Sequence, residues 1–137
     1  MHNIVNALFV RDGRVLLARR SPHRTSYPCL WSFPGGHLEP HETLIAALIR
    51  EVEEEVGVIP KAFAFLGTIA DPNTSTIDPV TYHMYVVTAW SGGEPAPLGD
   101  EHTELVWLTP AIASALPDLA LNEYRSLLAA AIQYQHR

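Results

Sequence analysis

The sequence predicts an α/β fold in which helices flank a central mixed β-sheet, an α/β/α sandwich. Predicted strands, a helix, further strands and a second helix follow one another, an order typical of a mixed sheet covered by helices. The chain has 137 residues, a length that suits one domain, so we expect residues 1–137 to form a single domain. Hydrophobic residues make up 47% of the sequence, enough for a core that needs no disulfides.

A β-hairpin is predicted in the first part of the chain. The dipeptide at 12–13, Asp-Gly, is typical of a two-residue hairpin turn. The segments on either side of it, 4–10 and 14–19, are rich in strand-forming residues. Two prolines favour a loop over 20–29, and a short strand is expected at 30–33.

A turn at 34–36, where the sequence is Pro-Gly-Gly, precedes the clearest predicted helix, at 43–56. The helix is indicated by apolar residues at helical spacing, which form one stripe: Ile45, Ile49, Val52 and Val56. Thr43 is a suitable N-cap, and Gly57 lies where a left-handed C-terminal cap belongs. The segment should therefore be amphipathic, with its stripe toward the core.

Further elements are predicted in the second half. Residues 62–70 and 80–90 have the composition of strands, and a loop rich in Pro, Asn, Thr and Ser joins them. A Gly/Pro loop at 91–99 precedes a short strand at 105–108. The last predicted element is an amphipathic helix at 121–134, whose apolar side carries Leu121, Tyr124, Leu128 and Ile132.

The charge balance limits the classes of partner. The net charge is −6, and no basic block is present to follow a phosphate backbone, which argues against a nucleic-acid polymer. An acidic protein that handles phosphates needs a divalent cation as a bridge. One cysteine, Cys29, and an N-terminus without a basic or long apolar segment indicate a cytoplasmic protein. The apolar runs are too short to span a membrane.

Acidic residues are concentrated in the predicted helix: Glu51, Glu53, Glu54 and Glu55. Glu51, Glu54 and Glu55 share one helix face, whereas Glu53 points elsewhere. Like charges at this spacing destabilise a helix, so a compensating cation is indicated. Carboxylate oxygens are hard ligands that suit Mg²⁺, with Mn²⁺ as the alternative. A solvated acidic helix face is the competing interpretation.

Residues 36–58, GHLEPHETLIAALIREVEEEVGV, resemble the Nudix box at every defining position. The matching residues are Gly36, Glu42, Arg50, Glu51, Val52, Glu54, Glu55, Gly57 and Val58. The resemblance implies a MutT-like Nudix hydrolase with the Nudix fold, which uses Mg²⁺ or Mn²⁺ to cleave a phosphoanhydride bond. It also implies that Glu51, Glu54 and Glu55 are metal-binding and catalytic carboxylates, with Glu51 or Glu54 favoured as the general base.

The same resemblance assigns roles around those carboxylates. The carbonyl of Gly35 would be a further metal ligand. Arg50 would orient the catalytic glutamates by ion pairing, and Glu42 would anchor the loop to the helix. Gly36 and Gly57 are the structural glycines of the motif.

The second half offers two more candidates. Glu101 lies six residues before Trp107, as does an additional metal ligand in MutT-like members, and it is a weaker candidate for the general base. An acidic surface loop is the competing interpretation. Asn122 lies fifteen residues after Trp107, at the offset of an Asn that binds an oxidised purine in such members. Asn122 could instead cap the last helix.

Basic and histidine side chains could contact phosphate. Arg19 and Arg20, with His23 and Arg24, form a candidate substrate-binding patch, although a solvated loop gives the same pattern. Four histidines could touch phosphate or metal, but scattered histidines are more often surface or core residues: His37, His41, His83 and His102.

The leading hypothesis is hydrolysis of a nucleoside triphosphate, oxidised or not, to a monophosphate and pyrophosphate. Hydrolysis of ADP-ribose or another nucleotide sugar is an alternative, since the box defines the chemistry and not the substrate. An isopentenyl-diphosphate-isomerase-like enzyme is a second class, suggested by residues 27–31, and a non-catalytic nucleotide-sensing domain is a third. The partner is expected to be a small nucleotide, and the protein a monomer or a homodimer.

Overall fold

The computed structural model describes residues 2–74 and 76–134; Met1, Ser75 and residues 135–137, which belong to the expected single domain, lie outside them. The strands are β1 (His2–Arg11), β2 (Arg14–Arg20), β3 (Trp31–Ser32), β4 (Gly35–His37), β5 (Ile59–Ala70), β6 (Val80–Ser91) and β7 (His102–Leu108). The helices are α1 (Leu44–Val56), α2 (Pro110–Ser114) and α3 (Tyr124–Gln133). Among the described residues, no helix combines the length and apolarity needed to cross a bilayer.

The sheet is mixed, as predicted, and β1 is its central strand. The main strand order is β3-β2-β1-β6-β5, with β4 paired to β1 and β7 paired to β2. β1 runs parallel to β6 from the pair His2↔Val80 to the pair Phe9↔Val87. The pairs that β1 makes with β2 and β4 are antiparallel.

Helices cover both sides of the sheet, which confirms the α/β/α sandwich. Successive residues of a strand point to opposite faces, so Phe9 packs on the α1 side while Leu8 packs on the α3 side. Helix α1 contributes Ala47, Leu48, Val52 and Val56 to its core. The opposite core contains Tyr124, Leu128 and Ala131 of α3 together with Ala113 of α2.

Both predicted caps of α1 are confirmed. The Thr43 hydroxyl accepts a hydrogen bond from the Ala46 N–H at 3.1 Å, and Gly57 adopts a left-handed conformation with φ of 75°. The predicted apolar stripe was partly wrong, because Ile45 is 48% exposed and Leu48 is fully buried in its place. The buried side of the helix is rotated toward the face that also carries Glu55, which is itself buried.

The hairpin turn is also confirmed, since Asp12 and Gly13 have φ values of 53° and 74°. The turn expected at 34–36 was wrong, because Gly35–His37 forms a short strand beside β1. A Cβ atom at Gly35 would overlap the carbonyl oxygen of Val5. Absence of a side chain therefore permits strand pairing here rather than a reversal of the chain.

The end of the chain differs most from the sequence-based expectation. Helix α2 was not predicted; its N-cap Thr109 accepts a hydrogen bond from the Ile112 N–H at 3.3 Å, and Pro110 occupies the first turn. Helix α3 begins at Tyr124 rather than at residue 121. Strand β7 begins at His102 rather than at residue 105, which brings the residues after the Gly/Pro loop beside α1.

Candidate active site

Close approach of β4 to α1 forms the centre of the site. A Cβ atom at Gly36 would overlap the carboxylate of Glu51, so only glycine leaves room for that side chain. Glu51 is largely buried, and burial raises the pKa of its carboxyl, while the hydrogen bond from Arg50 opposes the rise. Glu51 also lines an open cleft with Gly36, His37, Arg24 and Glu101, among other residues.

Arg50 donates hydrogen bonds to three carboxylates at once. Its guanidinium donates to both oxygens of Glu42, at 2.7 and 2.8 Å, and to the carbonyl oxygen of His37 at 3.1 Å. It also donates to Glu51 at 2.9 Å and to Glu54 at 3.3 Å. The hydrogen bond from Arg50 lowers the pKa of Glu42 to about 2, with help from the Glu39 backbone. The arginine thus ties the loop before α1 to the acidic face of the helix.

The remaining helix glutamates differ in environment. Glu54 has a 59% exposed side chain and faces solvent beside Arg50. Glu55 is buried, and its Oε2 accepts a hydrogen bond from the Gly35 N–H at 2.8 Å. Its Oε1 is buried without a hydrogen-bond partner among the described residues. Glu53 is exposed, as expected for a side chain off the acidic face.

The start of β7 completes the acidic cluster. The Glu101 carboxylate forms a 2.9 Å ion pair with Arg24. The next residue, His102, is buried, and its Nδ1 lies 3.8 Å from Glu55 Oε2. Burial, together with the charges of Arg20 and Arg24, lowers the pKa of His102 to about 4. From the sequence alone, His102 resembles a scattered structural histidine, because only the β2–β7 pairing reveals its neighbours.

These groups fit a divalent cation. One ligand atom from each of Glu55, Glu101 and His102 lies within 4.8 Å of the others. The unpartnered Glu55 Oε1 supports this, since a buried carboxylate oxygen without a donor is costly unless a cation satisfies it.

A second cavity adjoins the cleft and shares Gly36, His37 and Arg24 with it. Its lining includes Arg20, Tyr27, Tyr82 and Tyr124. Two of these phenols are held by one buried carboxylate, since the Tyr27 hydroxyl donates to Asp71 at 2.7 Å and the Tyr82 hydroxyl donates to it at 3.0 Å.

The structure separates the two arginines of the predicted substrate patch. Arg20 lines the second cavity and donates to the Ser26 backbone carbonyl at 2.9 Å. Burial lowers the pKa of its guanidinium, and Arg24 adds to this effect. Arg19 lies over the Trp31 ring at 5.1 Å and pairs with Asp118 at 3.1 Å. Neighbouring residues of a strand point to opposite faces, so the two guanidinium groups diverge.

Asn122 is exposed and is absent from the lining of both cavities among the described residues. Its side-chain oxygen accepts a hydrogen bond from Arg125 Nε at 2.8 Å. The helix-capping alternative for Asn122 was wrong, because the N-cap of α3 is Glu123, which makes no side-chain cap hydrogen bond. The structure therefore does not bring Arg19 or Asn122 to the acidic cleft.

The chain is similar to known proteins of one family. The sequence model of the NUDIX domain matches residues 1–130. A CTP pyrophosphohydrolase of Escherichia coli K12 is 33% identical over 117 residues, which cover 85% of this chain and 82% of that protein. An ADP-ribose pyrophosphatase of Methanocaldococcus jannaschii is 29% identical over 118 residues, covering 86% and 66% respectively.

The fold is also similar to a solved structure, a MutT NUDIX hydrolase from Burkholderia pseudomallei. The two chains are 27% identical and superpose with a TM-score of 0.77 over 96% of this chain and 95% of the other. The acidic cleft beside the Gly35–Gly36 strand lies within the matched region. This chain therefore belongs to the Nudix family and is a MutT-like Nudix hydrolase.

Proposed function

We propose that this protein hydrolyses a nucleoside triphosphate to a nucleoside monophosphate and pyrophosphate, in a reaction that depends on Mg²⁺. The observation that carries the proposal is the acidic face of α1. Glu51 packs against Gly36, Glu55 accepts a hydrogen bond from the Gly35 N–H, and Arg50 donates to both Glu51 and Glu54. The similarity to a CTP pyrophosphohydrolase supports the choice of a triphosphate. We further propose that residues 1–137 act as one domain.

The cation would be held by carboxylates of Glu51, Glu54, Glu55 and Glu101 and by the Gly35 carbonyl. When bound, it would neutralise these carboxylates, screen the substrate phosphates and lower the pKa of the attacking water. Mn²⁺ is the alternative cation, since it accepts the same oxygen ligands. The acidic charge of the whole chain makes such a bridge necessary for a polyphosphate to bind.

Positioning and proton transfer are the tasks of the chain itself. Water forms a bond to one phosphorus of the α–β anhydride, the bond from that phosphorus to the bridging oxygen breaks, and the monophosphate and pyrophosphate separate. Glu51 or Glu54 accepts the proton of the attacking water. Arg50 holds these two carboxylates in position through its hydrogen bonds to both. In this proposal Arg50 acts through the glutamates and is a positioning residue.

The substrate side of the proposal uses the second cavity. Arg20 and Arg24 line it and offer positive charge beside the acidic cleft. Tyr27, Tyr82 and Tyr124 add aromatic rings to its lining. We assign substrate contact to Arg20, while Arg19 and Asn122 make other contacts described above.

The decisive test is a panel of nucleotides incubated with the full chain and Mg²⁺. Inorganic phosphate is measured after addition of pyrophosphatase for the triphosphates, or of phosphatase for ADP-ribose. Release of pyrophosphate from triphosphates, abolished by a chelator, is expected. Cleavage of ADP-ribose without triphosphate cleavage would reject the proposed substrate and favour the second candidate, which the archaeal relative supports. Absence of turnover over the whole panel would reject hydrolysis itself.

A further inference from the structure

His102 is a buried side chain whose polar atoms are not satisfied. Neither Nδ1 nor Nε2 has a hydrogen-bond partner among the described residues, and only 3% of the side chain is exposed. An imidazole buried without a partner is costly, because it gives up hydrogen bonds to water and gains none. Glu55 Oε1, in the same cluster, is unsatisfied for the same reason.

These unsatisfied groups do not satisfy each other. The distance from His102 Nδ1 to Glu55 Oε2 is 3.8 Å, too long for a hydrogen bond. Glu55 Oε2 already accepts from the Gly35 N–H. An ion or molecule located between His102 and Glu55 would give each residue a partner. Such a group must bind a carboxylate oxygen and an imidazole nitrogen at the same time.

Strand pairing directs His102 to this position. The β2–β7 register shifts between Arg19 and Arg20, so that Glu104 pairs with Arg19 while His102 pairs with Arg20. Such a bulge re-aims side chains at the end of a ladder. The ligand atoms of Glu55, Glu101 and His102 come within 4.8 Å of one another as a result. Bonds of about 2.0–2.2 Å to one ion need ligand atoms no more than about 4.4 Å apart, so side-chain movements of about half an ångström would complete the site.

We propose that His102 donates an imidazole nitrogen ligand to a divalent cation held with Glu55 and Glu101. Mg²⁺ favours an all-oxygen environment and loses its waters reluctantly, whereas Mn²⁺ also accepts an imidazole nitrogen, so this position should bind Mn²⁺ more tightly than Mg²⁺. The inference rests on the proposed function only in requiring a cation in the cleft. Arg24 pairs with Glu101 through Oε1, and no ion pair to Oε2 is present among the described residues.

The test is pulsed electron paramagnetic resonance of the full chain loaded with Mn²⁺, without nucleotide. Modulation from a directly bonded imidazole ¹⁴N is expected in the wild-type protein and should disappear in His102→Gln. The matched control is His41→Gln, at an exposed histidine, which should keep the modulation. In calorimetric titrations, His102→Gln should weaken Mn²⁺ binding by about 10–100-fold and reduce the preference for Mn²⁺ over Mg²⁺.

His37 lines the same cleft and is the competing source of a nitrogen ligand. Loss of the modulation in His37→Gln but not in His102→Gln would overturn the proposal. So would wild-type protein that binds Mn²⁺ without nitrogen modulation, as expected if a buried water bridges His102 and Glu55. The wild-type and His37→Gln spectra decide the matter even where His102→Gln fails to fold. Hydrolysis with Mg²⁺ is measured separately, so its presence or absence bears on the proposed function alone.

Discussion

Gly35 and Gly36 are adjacent, yet a methyl group on each would meet different atoms. At Gly35 it would overlap the backbone carbonyl of Val5, which strand pairing fixes in place. At Gly36 it would overlap the end of the Glu51 side chain, which can move. The first glycine is therefore required by the fold, and the second by the geometry of the site.

We expect Gly35→Ala to lower the melting temperature clearly, because β4 can no longer pair with β1. Gly36→Ala should melt near the wild-type temperature but bind Mg²⁺ at least about tenfold more weakly, because Glu51 is displaced. Thermal melts and calorimetric titrations of both variants check this. A Gly36→Ala protein with wild-type Mg²⁺ affinity would show that the position of Glu51 is unimportant.

Glu54→Gln should reduce turnover by about a hundredfold or more while the fold survives, because the amide can neither accept a proton nor ligate a cation well. The matched control is Glu53→Gln, one position away and exposed, which should be mild. Steady-state rates and circular dichroism of the two variants provide the comparison. Equal losses in both would contradict the assignment of the active helix face.

At the scale of single residues, the sequence predicts contacts within one motif better than contacts between residues far apart in the chain. The spacing of Glu51, Glu54 and Glu55 follows from helix geometry alone, and the contacts of Arg50 with its carboxylates lie within the same short segment. The environment of His102 depends on a bulge between distant strands. Local spacing contains no signal for such a contact.

Among the elements, α1 depends on the loop before it through the pair between Glu42 and Arg50. The pKa of Glu42 is about 2 in the folded protein, against 4.5 for an unperturbed glutamate. A carboxyl group whose pKa is lower in the folded state than in the unfolded state stabilises the protein fully at pH values above the unfolded-state pKa. This stabilisation is lost as the pH falls toward the folded-state pKa. The loop should therefore loosen from α1 between about pH 4.5 and pH 2.

We expect Glu42→Gln to be less stable than the wild type at pH 7 and to approach it as the pH falls from 4.5 toward 2. Urea unfolding midpoints at several pH values would measure the difference. Glu53→Gln, which lacks a comparable arginine contact in the described part of the chain, serves as the control. A constant difference between Glu42→Gln and wild type across this range would contradict the linkage.

Elements with local signals were predicted well, and elements defined by their neighbours were not. Helix α1 begins after Thr43 and ends before Gly57, as the capping preferences of these residues require. Strand β4 was not predicted, because Pro-Gly-Gly is also typical of a turn. Only the position of Val5 on the neighbouring strand distinguishes a paired strand from a turn. The prediction that Ile45 is buried was wrong, because apolar residues at helical spacing do not show which side of the apolar stripe faces the sheet.

At the scale of the molecule, the described residues form two cores that share one sheet. Leu48 is fully buried on the α1 side, and Leu128 is fully buried on the α3 side. Strand β1 contributes alternate residues to both, so the two cores should unfold together. The expectation of one domain can therefore be tested by unfolding.

Leu48→Ala and Leu128→Ala should each lower the free energy of unfolding by roughly 2–5 kcal/mol, while unfolding remains one transition. Ile45→Ala, at a 48% exposed position, should cost less than either. Urea titrations followed by fluorescence and by circular dichroism would measure both quantities. Separate transitions, each sensitive to only one leucine variant, would divide the chain into two domains.

The parallel pairing of β1 with β6 has a consequence for synthesis of the chain. Asn6 and Met84, in register on these strands, are 78 residues apart in sequence. A ribosome releases β1 long before its parallel neighbour exists, and until then that edge of β1 lacks its native hydrogen-bond partner. Contacts of such high sequence separation slow folding and leave the nascent chain open to wrong associations. This edge of β1 should therefore acquire its native partner only once β6 has emerged.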